Sequence, residues 1–456
     1  MKVALINPGR DQRWAGCEPL NIGYVASYLE LHGHQVRIFD ELVGDNVVDE
    51  LEYYRPDIAG ITAVTPLAQD AYRLVRHLKG RGIRTVMGGV HAKFLPDEAL
   101  ENGVDIVATG AGETAMLKIV TDGVERGVVD GPLPKNLDDF PKPSRHLFSD
   151  FYYQLPEFAA YNHFVPRGTR SARMITSRGC AYRCAFCHNS LGEKNVLFHS
   201  PERVVEEARE LVEKYHCRHI FFMDDNFLMK RKRTSDLCEG LRLSGLDLSW
   251  ALLTTANEVR EEQLPMLRLA GAKQIAFGFE SGSQRILDLL QKRTTVEKNE
   301  WALRKAYEAG LSTQVYILIG SPTETREDLE RTKAFLQRNR RYITSALTSF
   351  VNPYPGNAIY EEMRKDGRLG DVSDIDWSAL RFDTPNFPVN QVLSPKELRK
   401  YYFEMVATIP PDLRTVVART LVDPVGVMAN VMRTDKAVIA KIVFASLFKQ
   451  WRRQFA

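Results

Sequence analysis

Short apolar runs alternate with amphipathic stretches along most of this chain. The first runs read as buried strands over Lys2–Asn7, Gln35–Phe39, Ile58–Thr62, Thr85–Met87 and Asp105–Ala108. Between the first two, Ile22, Val25, Ala26 and Leu29 share one face of a helix predicted from about Leu20 to His32, with Gly33 as its stop. A second helix is predicted from about Ala68 to Lys79. Strands alternating with helices build a parallel, doubly wound sheet, in which ligands sit outside the carboxyl ends of the strands. Those ends carry Pro8-Gly9-Arg10, Thr62-Ala63-Val64-Thr65, Gly88-Gly89-Val90-His91 and Gly110-Ala111-Gly112-Glu113. Small residues there let a large flat ligand approach the backbone. No G-x-G-x-x-G follows the first strand, which argues against a dinucleotide-binding fold.

Residues from about Leu133 to Arg170 show no clean period and are rich in proline and aromatics, which predicts a segment packed on its neighbours rather than a free tether. From Ser171 the alternation resumes. Strands are expected at Arg173–Thr176, His219–Met223, Ser249–Thr254, Gln274–Phe277, Gln314–Ile319 and Ser345–Asn352. Helices are expected near Pro201–Tyr215, Lys230–Leu243, Glu261–Ala270, Ser283–Leu290, Val296–Ala309 and Thr325–Arg338. Six strand–helix units imply a partial (β/α)6 barrel, whose chemistry gathers at the carboxyl face. The expected organisation is a Rossmann-like domain at 1–132, a linker at 133–170, the barrel at 171–375 and a mostly helical segment at 376–456. In that last segment Val438, Ile439, Ile442, Val443, Leu447 and Trp451 recur at helical spacing beside five lysines and arginines. The stripe faces a core, or lies on a membrane surface.

Composition narrows the classes. The 456 residues are 44% hydrophobic and 26% charged, as in ordinary globular proteins. A net charge of +3 gives no basic excess of the kind that nucleic acid requires. The first apolar run is too short for a signal peptide, and no stretch reaches the roughly 18 apolar residues that span a bilayer. Six cysteines in this length suit a reducing compartment, so a cytoplasmic location is expected.

Three of those cysteines carry the chemistry. Cys180, Cys184 and Cys187 are spaced C-x3-C-x2-C directly after a predicted strand. Iron–sulfur cubes normally take four thiolates, so three local ones leave one iron open. Structural zinc wants four tetrahedral ligands, and His188, adjacent to Cys187, is poorly spaced as the fourth. An odd, tight group in a long chain is no disulfide framework. Cys17, Cys217 and Cys238 stand alone, with buried small residues as the default reading.

The run Gly179-Cys-Ala-Tyr-Arg-Cys-Ala-Phe-Cys187, with Phe186 before the last cysteine, resembles the cluster motif of the radical S-adenosylmethionine (SAM) superfamily. The resemblance implies a [4Fe–4S] cluster whose open iron is chelated by SAM, reductive cleavage to a 5′-deoxyadenosyl radical, and an external electron donor of flavodoxin or ferredoxin type. It also implies roles at the strand ends. Asp224 and Asp225 would hold the SAM amino group, with metal ligation or a helix cap as the alternative. Glu280 and Ser281, in Glu-Ser-Gly282, would take the ribose. Lys292 stands where the family often keeps a lysine, or complements a helix C-terminus. The Gly-x-Pro turn at Ser321 would leave backbone groups free for adenine.

The first domain resembles the cobalamin-binding domain that precedes many radical SAM modules, on Pro19-Leu-Asn-Ile-Gly-Tyr24 and the pieces holding Thr62, Thr65, Gly88, Gly89, His91, Gly110 and Glu113. His91 would contact the ligand or cap its turn, and Glu113 would contact cofactor amides or favour a helix dipole. The D-x-H-x-x-G motif that supplies a cobalt-ligating histidine is absent; Asp11-Gln-Arg13 has arginine in that place. Together the resemblances, over roughly residues 1–375, imply a cobalamin-dependent radical SAM enzyme that methylates an unactivated carbon of a small-molecule or lipid-like substrate. An oxidative cyclase of the tetrapyrrole type, or a non-catalytic cobalamin sensor, are the alternatives. No catalytic side chain is assigned.

Overall fold

The structure is a computed structural model and describes residues 1–9, 17–154, 165, 168–188 and 195–410. Arg10, the loop 11–16 and the apolar stripe at 438–451 with its membrane alternative lie outside them. The described residues fall into two compact units: those of 1–152 with 354–356 and 360–380, and those of 153–353 with 357–359 and 381–410.

The first unit is a parallel sheet of β1 (Lys2–Asn7), β2 (Gln35–Asp40), β3 (Ile58–Thr62), β4 (Arg84–Gly88), β5 (Ile106–Gly110) and β6 (Gly127–Gly131), in the order β2-β1-β3-β4-β5-β6. Every residue of β3 is buried, as is all of β1 after Lys2. Continuous burial is what a strand covered on both faces requires, and explains why these runs are apolar without alternation. The chain order reverses between β1 and β3, so the crevice for a ligand is at Asn7-Pro8-Gly9 and Thr62–Thr65. β6 is not among the predicted strands. Glycines bound it and it alternates in burial, as suits an edge.

The segment after β6 packs on this unit. Phe140, Phe148 and Tyr152 are buried, Ser144 N–H donates to Gly23 O at 3.0 Å, and Tyr152 Oη donates to Asp40. Burial pushes the Asp40 carboxyl up to about 6. The residues that join from the far end of the chain were not legible. Trp377 is fully buried, donates its indole N–H to Glu98 at 2.9 Å, and sets its ring 5.5 Å from that of His91.

The second unit holds β7 (Ser171–Met174), the two-residue strands β8 (Ser177–Arg178) and β9 (Leu197–Phe198), then β10 (His219–Phe222), β11 (Ser249–Thr254), β12 (Ala272–Glu280), β13 (Ser312–Ile319) and β14 (Ser345–Phe350). β8 and β9 pair as a small antiparallel ribbon. The others form one parallel sheet in chain order, β7-β10-β11-β12-β13-β14. Sequential order is the winding of a barrel, and β7 and β14 remain edges, so the barrel is partial. β12 extends past the predicted Phe277. Gly278 reads as a strand end, but the register shifts between Gly278 and Glu280, and a glycine within a strand often marks such a bulge. Three helices begin on side-chain caps: Ser200, Thr295 and Thr325 each accept a backbone N–H three residues on. Of the predicted helical C-terminal segment, the described part holds one long helix, Pro395–Thr408, whose Tyr402 ring stacks on Phe350.

Trp377→Ala is expected to destabilise the first unit by about 3–5 kcal/mol, the usual cost of emptying a buried tryptophan site. Hydrogen exchange should then accelerate in residues 65–101 and 360–380 while barrel strands keep their protection. Loss of protection first in the barrel would contradict the packing described.

Candidate active site at the carboxyl ends of the barrel strands

The cysteine loop leaves β7 through Thr176 and Ser177, and a buried carboxylate at the end of β10 holds its base. Asp224 is 1% exposed. Its oxygens accept Thr176 N–H at 2.9 Å, Thr176 Oγ1 at 2.9 Å and Ser177 Oγ at 2.5 Å. Burial pushes this carboxyl above its ordinary range, while the hydrogen bonds and Arg233 oppose the rise. Arg233 ties the same strand exit by donating to Thr176 O at 3.0 Å and His199 O at 2.9 Å. Asp224 therefore holds the base of the cysteine loop, and its bonds here go to Thr176 and Ser177. Asp225 is exposed and acts electrostatically on Cys180.

The loop itself is pinned through its backbone. Ala185 N–H donates to Leu290 O at 2.9 Å, Cys187 N–H donates to Cys184 O at 2.9 Å, and Asn357 Nδ2 donates to Phe186 O at 3.0 Å. Cys184 is buried and the other two thiols are partly exposed. Burial raises the thiols of Cys180 and Cys184, and the Lys292 ammonium opposes that rise in both. Among the described residues no three His, Cys, Asp or Glu side chains form a cage for a single ion. Thiolates on a four-iron cube bind separate irons and need no such cage.

β12 delivers Glu280 to the same region. Glu280 is buried, has a left-handed backbone with φ of 66°, and accepts Lys292 Nζ at 2.8 Å. Ser281, expected at the ribose, sits in the turn that follows. It is fully buried, and its hydroxyl pairs with Thr332 Oγ1 at 3.0 Å and accepts Ser283 N–H at 3.1 Å. A Cβ on Gly282 would stand 2.6 Å from Phe335 Cβ, so this glycine lets the turn close against the helix Arg326–Arg338.

The turn after β13 holds a carboxyl to which sequence reasoning gave no role. Glu324 is fully buried, and one of its oxygens accepts Gly320 N–H at 2.6 Å and Ser321 N–H at 3.2 Å. Burial nevertheless pushes it up to about 8. Its only advance signal was an acidic residue in an otherwise small-residue turn. Around this face, Asn226 Nδ2, Thr255 Oγ1 and Ser321 Oγ are buried without a hydrogen-bond partner. They follow β10, β11 and β13. Buried polar atoms are normally paired, so unpartnered ones after three strands of one sheet fit a polar ligand such as SAM. Three thiols on a loop tied to the turn that bears a buried lysine fit a cluster. Cys217 and Cys238, by contrast, belong to the hydrophobic core of this unit.

In the first unit, Thr62 Oγ1 accepts Asn21 Nδ2 at 2.6 Å and Thr65 is buried. Gly88 is half-buried, while Gly89 and Gly110 are exposed. Gly89 has φ of 93°, and a Cβ there would meet Ala63 O at 2.6 Å, so the backbone itself requires glycine. Val64, 49% exposed, presents an apolar side chain beside the β1/β3 crevice. An open crevice lined by small and apolar groups fits a large flat ligand. The His91 ring is wholly buried, with Nε2 3.0 Å from Tyr72 Oη and 3.7 Å from Glu98. Glu113 is buried in the first turn of the helix Gly112–Asp122, where a carboxylate favours the dipole.

A parallel half-barrel with a cysteine loop at its mouth, in a chain that also holds an open doubly wound sheet, defines a class of cofactor enzyme. The radical SAM superfamily model matches residues 174–336, and the B12 binding domain model matches residues 15–120. The uncharacterized methyltransferase PH0819 of Pyrococcus horikoshii is 32% identical over 79% of this chain and 83% of its own length. The anaerobic magnesium-protoporphyrin IX monomethyl ester cyclase of Rubrivivax gelatinosus is 26% identical over 84% of this chain and 73% of its own. Among solved structures, the radical SAM methyltransferase TsrM of Kitasatospora setae, with cobalamin and a [4Fe–4S] cluster bound, covers 82% of this chain and 79% of its own. Its TM-score is 0.65 at 17% identity, a likeness of fold. The chain belongs to the radical SAM enzymes that carry a B12 binding domain.

The Glu324 carboxyl makes stability pH-dependent in a defined direction. Between its ordinary 4.5 and about 8 the folded chain holds one more proton than the unfolded chain. Stability therefore falls as pH rises through that window. Glu324→Gln removes this dependence, so the variant should gain on wild type from about pH 5 to about pH 8, by up to about 1.4 kcal/mol per pH unit. Denaturant midpoints at both pH values measure the difference; an unchanging difference would contradict a buried neutral acid.

Proposed function

We propose that this enzyme cleaves SAM reductively on a [4Fe–4S] cluster held by Cys180, Cys184 and Cys187. We further infer that it uses cobalamin bound to the first unit to methylate an unactivated carbon of a small-molecule or lipid-like substrate. The observation that carries this reading is a three-cysteine loop tied to the turn that bears the buried Lys292, whose ammonium stands 5.6 Å from the Phe186 ring, beside unpartnered polar atoms after β10, β11 and β13. When bound, the cluster with SAM supplies a 5′-deoxyadenosyl radical and cobalamin supplies a methyl group drawn from a second SAM; the protein supplies placement and electrostatics.

In this reading the thiolates occupy three irons and leave the fourth to SAM. Asp225 offers a carboxylate to the SAM ammonium. Asn226 Nδ2 would donate to the rest of the molecule, and the Thr255 and Ser321 hydroxyls would donate to it or accept from it, which relieves their burial without partners. Glu280, held in a fixed direction by Lys292, faces the ribose. In the first unit Thr62, the backbone of Gly88 and Gly89, Gly110 and the apolar Val64 border the corrin, with no histidine among them. The electron comes from a one-electron donor of flavodoxin or ferredoxin type, and the setting is cytoplasmic. Among the described residues no helix is long and apolar enough to cross a membrane. The likeness to the cyclase of Rubrivivax gelatinosus keeps oxidative ring closure as the second reading.

Anaerobically reconstituted enzyme given dithionite and SAM should release 5′-deoxyadenosine, whereas Cys184→Ser should release none while keeping its cobalamin. With methyl-labelled SAM and a small-molecule extract, an acceptor should gain the label. Wild type without deoxyadenosine would sink the radical chemistry; deoxyadenosine with an oxidised, unlabelled product would favour the cyclase.

A further inference from the structure

Lys292 occupies a position that the fold reaches only through disfavoured backbone. It follows the helix Gln284–Leu289, and its neighbours Gln291 and Arg293 both have φ of 53°. Glu280, its partner, has φ of 66°. These are three of the five non-glycine residues with positive φ among the described residues. L-residues avoid that region, and such strain concentrates where a side chain has to be aimed. The chain here is also fastened to the cysteine loop, since Leu290 O accepts Ala185 N–H at 2.9 Å and Lys292 N–H donates to Leu287 O at 3.0 Å. The ammonium so aimed is 5% exposed, 2.8 Å from Glu280 and 5.6 Å from the centre of the Phe186 ring.

A buried ion pair is a poor device for stability, because desolvation offsets the attraction. A cation needed only to complement a helix C-terminus would work as well at the surface. What burial adds is a strong local field. The ammonium acts on Cys180 and on Cys184, where it outweighs Glu280, and Cys184 and Cys187 act on it in return. The Ala185–Leu290 bond and the 5.6 Å approach to Phe186 set this ammonium beside the loop that carries the three cluster cysteines.

We propose that Lys292 is the charge that sets the reduction potential of the cluster, with Glu280 aiming and partly offsetting it. This rests on the functional reading above. Reduction adds one electron from the flavodoxin- or ferredoxin-type donor to the cluster and breaks no bond. Each thiolate already contributes negative charge, so a fixed cation in a poorly solvated site favours the reduced form. Net charge and burial are the levers that tune such potentials. Lys292 touches no reacting atom and acts through the cluster alone.

The test is a potentiometric titration of the reconstituted holoenzyme without SAM, followed by electron paramagnetic resonance of the reduced cluster. In Lys292→Met the ratio of reduced to oxidised cluster at a fixed potential should fall about tenfold, about 59 mV for a one-electron couple. Lys292→Arg should stay within threefold of wild type, and Glu280→Gln should shift the ratio upward. A fully loaded Lys292→Met protein with an unchanged ratio would overturn the proposal, as would equal shifts in the Met and Arg variants. If Lys292→Met loads no cluster, the Glu280→Gln result decides alone, and a ratio that fails to rise is fatal. Wild type without any cluster would defeat the functional reading, and this proposal with it.

Discussion

Asp224 accepts three hydrogen bonds from Thr176 and Ser177 while almost wholly removed from water. A carboxylate in that setting is tolerated only because its oxygens are satisfied, and losing a donor would leave a costly buried charge. The demand runs both ways: the carboxylate needs those donors, and the donors set where the chain departs from β7. Everything in the cysteine loop inherits that departure point. The Ala185–Leu290 and Asn357–Phe186 bonds then fix its far side. The thiols are placed by backbone ties and one buried acid, before any cofactor is considered.

The same economy recurs at β12 and β13. The bulge at Gly278–Glu280 turns a glutamate inward onto Lys292, and Gly282 lets the next turn close against Phe335. After β13 a buried acid receives two backbone N–H groups at Gly320 and Ser321. Each of these carboxyls stands at a strand end, where the barrel's parallel winding collects chemistry.

The alternation of strand and helix was legible because the central strands of both sheets are buried on two faces, and continuous apolar runs such as Ile58–Thr62 announce this. The three cysteines were legible because their spacing is local. Contacts that join distant parts of the chain left no such trace. Nothing in the run around Trp377 says that its indole meets Glu98, and nothing near His91 says that Tyr72 will take its ring. The Asp224-Asp225 pair showed why residue type falls short of role. Adjacent residues near a strand end point to opposite sides, so one acid binds the loop and the other is exposed. The Ser281 hydroxyl bonds within the turn beneath it, a contact its pattern did not announce.

The central claim is that this single chain carries two cofactors, one on each unit. The most direct measurement is the iron, sulfide and cobalamin content of wild-type protein reconstituted without oxygen. The account predicts about four irons, about four sulfides and about one cobalamin per chain, the iron on a cube of the kind three local thiolates can hold. Stoichiometric cobalamin with no sulfide, or a full cluster with no cobalamin at saturating supply, would contradict it.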